Sequence, residues 1–357
     1  MASTANGSTP PGLVVLAFAK TPLSLDQRLH LCPAYLNEVL PGLMLEHGLD
    51  HMQSHANPKT PRWLDFDEAT DTARVLELRY ETTSMPTMDQ CKALALDPEL
   101  PHGPPGLNFE LVIQPRDLYE RHKHPGLAVF DMDSTLIQQE VIDELARAVG
   151  LYDKVAAITE AAMRGEAPYT DFEASLRARV GLLKGVPGDI WERLKGSGEW
   201  EGQGVITFTP GARELVRCLR KLGWKTAVLS GGFTPLARWV KEVLGLDYAF
   251  ANHLATDPET GVLTGELVEG EPIIHAAKKR ELLLKLAERE GVDPSHAIAV
   301  GDGSNDLLMM GAAGLGVAFN AKPKVQAAAP CRINGRSLED VLYMFGYSKA
   351  EIDDLLR

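Results

Sequence analysis

The stretch LAVFDMDST, residues 127–135, decides which fold this sequence predicts. A short apolar run that ends in acidic residues is typical of a buried strand in a parallel sheet. Similar runs alternate with amphipathic helical stretches along the rest of the chain, which is the pattern of βαβ units. The predicted strands are 127–131, 225–230, 297–301 and 316–319, and the predicted helices among them are 212–222, 235–244 and 279–291. Four more helical stretches follow the first strand and predict an inserted helical cap, namely 141–149, 154–164, 171–183 and 187–194.

Polar residues follow three of these predicted strands. Asp131 and Asp133 follow the first strand, Ser230-Gly231-Gly232 ends the second, and GDGSND at 301–306 ends the third. The carboxyl ends of parallel strands meet at one edge of the sheet, where ligands gather, so we expect these residues to lie together. Each glycine taken alone also suits a plain tight turn. The coincidence of three polar strand ends therefore predicts a site.

The predicted edge gathers four carboxylates, those of Asp131, Asp133, Asp302 and Asp306. Like charges at close range repel and lower stability unless a cation lies among them. Oxygen ligands without His or Cys suit a hard ion, and a loose set that leaves positions for water and phosphate oxygens suits Mg²⁺. Mg²⁺ is therefore the predicted cofactor.

Charge and composition exclude several classes of protein. The 357 residues contain 36 Lys and Arg against 49 Asp and Glu, and this net charge of −13 disfavours nucleic acid as a partner. The early apolar run 13–19 is too short to span a bilayer and follows no basic stretch, which predicts neither a membrane anchor nor a signal peptide. The four cysteines are far apart and suit neither a disulfide scaffold nor a structural zinc site. We expect a cytoplasmic protein with a small-molecule substrate, and the sequence leaves a homodimer open.

The chain before residue 126 has a pattern of its own. Residues 1–12 are small, polar and rich in Pro and Gly, which predicts a disordered tail. A small N-terminal α+β domain is predicted over 13–122, from strand-like and helix-like segments at 13–19, 35–47, 73–81, 88–96 and 108–114. The predicted catalytic domain covers 126–347, with its cap at about 141–205, and a C-terminal helix or tail covers 348–357.

Four motifs, in this order, carry a family resemblance: DMDST at 131–135, LSGG at 229–232, the basic helix start Lys278-Lys279, and GDGSND at 301–306. The set resembles the haloacid dehalogenase superfamily. Within it, the stretch 128–345 resembles the phosphoserine phosphatases through FDMDSTLIQQEVIDELA, SLRARVGLLKG, GLDYAFAN and FNAKPKV. The resemblance implies a Rossmann-like core with a C1-type cap, and the N-terminal domain resembles an ACT-like unit only loosely.

The resemblance also implies an activity, the hydrolysis of O-phosphoserine to serine and phosphate as the last step of serine biosynthesis. Asp131 would be the nucleophile that forms an aspartyl-phosphate, and Asp133 would act as an acid and then as a base. Mg²⁺ would be held by the carboxylates of Asp131 and Asp302 and by the backbone carbonyl of Asp133. Asp306 and Asn305 would orient these ligands, with Asn305 also facing the substrate.

For phosphate binding, the resemblance implies the Ser230 hydroxyl, the Gly231 amide and a lysine. The spacing to the residues that follow favours Lys279 over Lys278, and the alternative is that both are solvated residues at a helix start.

For the amino acid, Glu140 and Arg179 match the positions that bind the ammonium and the carboxylate. Phe172 matches an apolar position that covers the site. Core packing is the alternative role for Phe172. The stretch 163–172 is also longer than the family's usual one, which bears on how the cap closes.

Two other functions compete with this interpretation. A broad small-molecule phosphatase or a phosphomutase would share the core residues without requiring Arg179. A metal-binding regulator without turnover would keep the fold alone, and the presence of every core residue in this sequence disfavours it.

Overall fold

The computed structural model describes residues 10–50, 61–100 and 108–357. Its strands are β1 Gly12–Leu23, β2 Arg62–Trp63, β3 Ala73–Glu81, β4 Phe109–Pro115, β5 Leu127–Phe130, β6 Lys225–Phe233, β7 Tyr248–Asn252, β8 Leu254–Thr256, β9 Leu263–Leu267, β10 Ala297–Gly301, β11 Leu315–Phe319 and β12 Cys331–Ile333. Its α-helices are α1 Cys32–Glu46, α2 Met88–Ala95, α3 Arg116–Arg121, α4 Val141–Ala148, α5 Tyr152–Met163, α6 Phe172–Gly181, α7 Ile190–Lys195, α8 Ala212–Lys221, α9 Thr234–Leu244, α10 Ala276–Glu290, α11 Leu307–Met310, α12 Pro323–Ala328, α13 Asp340–Tyr343 and α14 Lys349–Leu356.

The chain forms two compact units. One contains Met1–Gly126 and Val317–Arg357, and the other is Leu127–Gly316. The domain limits stated from the sequence stay a prediction. Of the predicted tail at 1–12, residues 1–9 lie outside the described residues, and Gly12 already begins β1.

The unit 127–316 is built on parallel strands in the order β10-β5-β6-β7. Leu127 pairs with Ala297 on one side and with Lys225 on the other, so β5 is a central strand. All four residues of β5 are fully buried, as expected for a parallel strand that is covered by helices on both faces. The register brings the carboxyl ends of β5, β6 and β10 to one edge of the sheet, as the sequence predicts.

The helices α4 to α7 form the predicted cap between β5 and β6. α4 buries Val141, Ile142, Leu145 and Ala146, which recur at helical spacing, and carries acidic residues in its first turn. The predicted helical cap and the α/β fold class are confirmed. The prediction missed β7 and the β8–β9 hairpin, whose short strands lack a clear apolar alternation.

The other unit contains an antiparallel sheet in the order β2-β3-β1-β4. β1 is its central strand, and its side chains Leu13, Val15 and Ala17 pack with Leu36 and Leu40 of α1. The described parts of α1, β3, α2 and β4 agree with the predicted helix and strand segments. The C-terminal segment joins the same unit through side-chain and backbone bonds. The Arg74 guanidinium lies 2.8 Å from the Asp340 carboxylate, and the Lys349 amide donates to the Leu64 carbonyl at 2.6 Å.

None of the helices within the described ranges combines the length and the apolar character that a membrane span requires.

Candidate active site

Asp131 follows β5 directly and is held at the edge of the sheet by three bonds. Its amide donates to the Val300 carbonyl at 2.9 Å, which ties it to β10. Its carboxylate oxygen Oδ1 accepts from the Met132 amide at 2.7 Å and lies 2.7 Å from the Lys279 ammonium. In the part of the chain that the structure describes, no hydrogen bond or ion pair engages the other oxygen, Oδ2. Asp131 as a whole is only 5% exposed, so its carboxylate lies at a nearly closed edge of the sheet.

Asp133 lies within the turn Met132–Leu136 that leads from β5 towards the cap. Its Oδ2 accepts from the Val141 amide at 3.1 Å, at the start of α4, while its buried Oδ1 has no hydrogen-bond partner among the described residues. Burial raises the pKa of Asp133 well above its usual range, and the nearby charges of Glu140 and Asp131 raise it further. The group is therefore easier to protonate than an ordinary aspartate.

The end of β6 lies close to these carboxylates. The Ser230 hydroxyl is fully buried and accepts from the Gly232 amide at 2.8 Å. A Cβ atom at Gly232 would lie 3.0 Å from Met132 Cε and 3.3 Å from Asp133 Oδ1. Gly232 is thus more than a turn residue, because any side chain there would press on the Asp133 carboxyl group.

Lys279 of α10 is fully buried and bridges two carboxylates. Its Nζ lies 2.7 Å from Oδ1 of Asp131 and 2.7 Å from Oδ1 of Asp306. Burial alone would lower the pKa of Lys279, but the two carboxylates outweigh it and hold the pKa above its usual value. Lys278 instead points to Glu281, with Nζ 2.9 Å from Oε1. Of the two lysines left open by the sequence, the structure brings Lys279 to the site.

The loop after β10 supplies two more carboxylates. Asp131, Asp302 and Asp306 each offer one oxygen, and these three atoms lie within 4.8 Å of one another. Burial, followed by the charge of Asp131, raises the pKa of Asp302 to about 7 and that of Asp306 to about 8. Asp306 Oδ2 also accepts from the Gly303 amide at 3.0 Å, and Asn305 is half-buried beside it. Crowded carboxylates with raised pKa values fit a site that a divalent cation would complete.

The cap contributes groups of opposite charge. Glu140 precedes α4, and its carboxylate accepts a hydrogen bond from the Ser134 hydroxyl at 2.7 Å. Arg179 of α6 is half-buried, and burial lowers its pKa against the opposing charges of Asp143, Glu140 and Asp133. Phe172, at the start of α6, lies against the loop that follows Ser230, since a Cβ atom at Gly231 would lie 3.3 Å from its Cζ.

Comparison with known proteins agrees with this geometry. Residues 128–311 match the family model of the haloacid dehalogenase-like hydrolases. The probable phosphoserine phosphatase of Schizosaccharomyces pombe is 47% identical over 230 residues, which are 64% of this chain and 73% of that protein. The chain belongs to the phosphoserine phosphatase group of the haloacid dehalogenase-like hydrolases.

Two solved structures of phosphoserine phosphatases are also similar to this chain. A phospho-aspartyl intermediate analogue of phosphoserine phosphatase is 41% identical, with a TM-score of 0.54 over 62% of this chain and 98% of that one. The unliganded probable phosphoserine phosphatase from Vibrio cholerae is 29% identical, with a TM-score of 0.59 over 96% of this chain and 88% of that one. The second match includes the N-terminal unit, whose ACT-like character stays a prediction.

Two residues of this hydrolase site were missed by the sequence analysis. Asn252, at the end of β7, donates through Nδ2 to the Gly231 carbonyl at 2.8 Å and accepts through Oδ1 from the Ile274 amide at 2.9 Å. A polar residue that ends an apolar strand was the available signal, but β7 itself was not predicted. Ser134 has a left-handed backbone, with φ of 52°, which aims its hydroxyl at Glu140. No local pattern predicts that contact.

Proposed function

We propose that this hydrolase removes phosphate from O-phosphoserine, and that Asp131 is the nucleophile. The observation that carries the proposal is the buried Lys279 bridge between Asp131 and Asp306, at the edge where β5, β6 and β10 end. The substrate is supported by the phosphoserine phosphatases that the chain is similar to and by the charged pair that the cap supplies.

The bonds of Asp131 separate the roles of its two oxygens. Lys279 and the Met132 amide both engage Oδ1, which fixes the carboxylate plane and leaves Oδ2 for attack on phosphorus. As the bond from Oδ2 to phosphorus forms, the bond from phosphorus to the serine oxygen breaks. The product is an aspartyl-phosphate on Asp131 together with free serine.

Asp133 supplies the proton that the serine oxygen needs on leaving. Its raised pKa favours the protonated form, and its unpartnered Oδ1 lies beside Gly232 in the loop that would hold the phosphate. Once Asp133 has lost that proton, its carboxylate takes a proton from the water that attacks the aspartyl-phosphate. This second step returns Asp131 and Asp133 to their starting states and releases phosphate.

Mg²⁺ fits the donor set, because the oxygens of three carboxylates cluster here and, among the described residues, no His or Cys belongs to the cluster. Asp131, Asp302 and the backbone carbonyl of Asp133 would hold the ion, and Asp306 and Asn305 would orient them. When bound, the ion neutralises negative charge on the phosphate oxygens and on the cluster. The Ser230 hydroxyl, the Gly231 amide and the Lys279 ammonium bind the phosphate oxygens.

The cap recognises the amino-acid part of the substrate. Glu140 attracts the ammonium, and Arg179 binds the carboxylate through its planar guanidinium. Phe172 excludes water by covering the Gly231 loop. A cytoplasmic location and a homodimer remain predictions.

The test is a phosphate-release assay with phosphoserine, phosphothreonine, phosphoethanolamine and a sugar phosphate, each with Mg²⁺ and with EDTA. We expect phosphoserine to be hydrolysed with the highest kcat/KM, and only with Mg²⁺. Faster release from the sugar phosphate would replace this proposal with a broad small-molecule phosphatase. Release from phosphoserine that persists in EDTA would contradict the role of the cation.

A further inference from the structure

Asn252, the last residue of β7, has a buried carboxamide that bonds two separate segments of the hydrolase site. Asn252 is 1% exposed. Its Nδ2 donates to the Gly231 carbonyl at 2.8 Å, and its Oδ1 accepts from the Ile274 amide at 2.9 Å. These partners fix the orientation of the carboxamide, because a backbone carbonyl can only accept and a backbone amide can only donate. Asn252 therefore joins the end of β6 to the segment that precedes α10.

The peptide group between Gly231 and Gly232 is held at both of its ends. Its carbonyl accepts from Asn252, and its N–H, which belongs to Gly232, donates to the Ser230 hydroxyl at 2.8 Å. Because a peptide group is planar and rigid, its carbonyl cannot turn without its N–H turning as well. The Ser230 oxygen uses a lone pair in this bond, so its own proton stays available for a phosphate oxygen. The donor of Asn252 thus acts on the hydroxyl that the proposed function assigns to phosphate binding.

The second bond of Asn252 fixes the start of α10. Ile274 is buried and directly precedes His275, the N-cap residue of α10. The Lys279 amide donates to the His275 carbonyl at 2.9 Å, so the lysine lies in the first turn of this helix. A Cβ atom at Gly231 would lie 3.8 Å from the Ile274 carbonyl oxygen, so the end of β6 and the start of α10 are neighbours. One carboxamide therefore links the backbone next to Ser230 with the backbone that leads to Lys279.

We propose that Asn252 is a positioning residue, which holds the Gly231–Gly232 peptide and the start of α10 in the arrangement that binds phosphate. Its action is indirect, because its carboxamide bonds backbone groups, and that backbone carries Ser230 and Lys279 to the phosphate. This inference rests on the proposed function, in which these groups bind phosphate, and deepens it. It does not depend on which phosphate ester is the substrate.

The test separates the donor of Asn252 from its volume. Asn252→Asp keeps the shape and the acceptor for the Ile274 amide, but its carboxylate cannot donate to Gly231. Asn252→Leu keeps most of the volume and has neither a donor nor an acceptor. The control is Thr226→Val at the other end of β6, which removes a buried hydroxyl whose Oγ1 donates to Asp247 Oδ2 at 3.0 Å.

At pH 8.5 in Mg²⁺, we expect both Asn252 variants to lose kcat/KM about 10- to 100-fold, because a small misplacement of binding groups has an effect of this size. The Kd of inorganic phosphate, measured from the rise in melting temperature that phosphate causes, increases by a similar factor. Thr226→Val melts at a lower temperature than the wild type, because it too loses a buried hydrogen bond. Its kcat/KM and its phosphate Kd stay within about twofold of the wild-type values, since its bond lies away from the site.

Between pH 8.5 and pH 6, we expect the two Asn252 variants to diverge. Burial raises the pKa of the carboxyl group that Asn252→Asp introduces, and once protonated this group donates to Gly231 as the carboxamide does. The activity of Asn252→Asp relative to the wild type therefore rises about fivefold or more as the pH falls. The relative activity of Asn252→Leu stays constant, because leucine has no proton to gain.

Wild-type kcat/KM and phosphate Kd in both Asn252 variants would overturn the inference. An equal loss of phosphate affinity in Thr226→Val would also overturn it, as would a relative activity of Asn252→Asp that does not rise at low pH. If the wild type hydrolyses another ester in place of phosphoserine, the proposed substrate is wrong. The same variants, measured with that ester and with inorganic phosphate, then still decide the role of Asn252.

Discussion

Replacing Lys279 by Met tests the electrostatic centre of the site. The substitution keeps most of the side-chain volume but removes the ammonium that lies 2.7 Å from both Asp131 and Asp306. Removing one partner of a buried ion pair costs about 3–5 kcal/mol, because the remaining charge stays buried without compensation. For a unit the size of residues 127–316, each kcal/mol shifts the melting temperature by about 2–4 °C, so we expect Lys279→Met to melt about 6–20 °C lower.

The matched control is Lys278→Met on the same helix. Lys278 pairs with Glu281 near the surface, and such a pair contributes only about 0.3–0.5 kcal/mol. The assay is differential scanning calorimetry at pH 8 in EDTA, following the transition that Mg²⁺ shifts in the wild type. We expect the melting temperature of Lys278→Met to stay within about 2 °C of the wild type.

The loss of melting temperature in Lys279→Met depends on pH. The folded-state pKa values of Asp302 and Asp306, about 7 and about 8, lie above the usual value, so the folded site takes up protons as the pH falls. Loss of the Lys279 charge raises the carboxyl pKa values further. The destabilisation is therefore largest at pH 8 and smaller at pH 5. A Lys279→Met protein that melts like Lys278→Met at pH 8 would refute the reasoning.

Three further predictions follow from the same contacts. Asp131→Asn abolishes phosphate release, while its far-UV circular dichroism spectrum stays that of the wild type. Beryllofluoride, added with Mg²⁺ at 100 times the Kd of beryllofluoride, raises the melting temperature of the wild type by about 5–10 °C but does not raise that of the variant. In EDTA, we expect the melting temperature of the wild type to fall between pH 5 and pH 8.5, because the raised pKa values of Asp302 and Asp306 favour the folded state only while these groups hold protons. Mg²⁺ then stabilises the protein more at pH 8.5 than at pH 5. A melting temperature that rises with pH in EDTA would contradict the raised pKa values. Arg179→Ala raises KM for phosphoserine about 10- to 100-fold with less effect on kcat, and an unchanged KM in steady-state assays would remove Arg179 from substrate binding.

Much of the fold follows from local sequence patterns. The strand 297–301 was predicted with the bounds that the structure has, because an apolar run between a helix end and a Gly-Asp-Gly turn has few alternatives. The cap helices were predicted from apolar residues that recur at helical spacing, and α4 has a clear apolar stripe of this kind. β7, with the sequence YAFAN, was missed because it contains no β-branched residue and no Gly-rich turn follows it.

The preference for Lys279 over Lys278, which the sequence spacing favoured, agrees with the apolar pattern of α10. Lys279 is followed at helical spacing by Leu282, Leu283 and Leu286, which are all buried with it, whereas Lys278 is not on that stripe. The apolar periodicity of α10 therefore indicates the same lysine as the one that points inward.

Other contacts were beyond any local pattern. The C-terminal segment joins the first unit through Arg74 and Asp340, whose pairing spans most of the chain. The bond between Ser134 and Glu140 depends on a left-handed backbone at a residue other than glycine, which sequence rules do not favour.

The most direct test of the account is to identify the residue that carries the phosphate. The enzyme is mixed with phosphoserine and Mg²⁺, quenched in acid within one turnover, reduced with borohydride and mapped by peptide mass spectrometry. An aspartyl-phosphate is reduced to homoserine, so we predict homoserine at position 131 and at no other aspartate. Homoserine at position 133 or 302 would contradict the account, as would phosphate release at the full rate from a protein in which Asp131 is never modified.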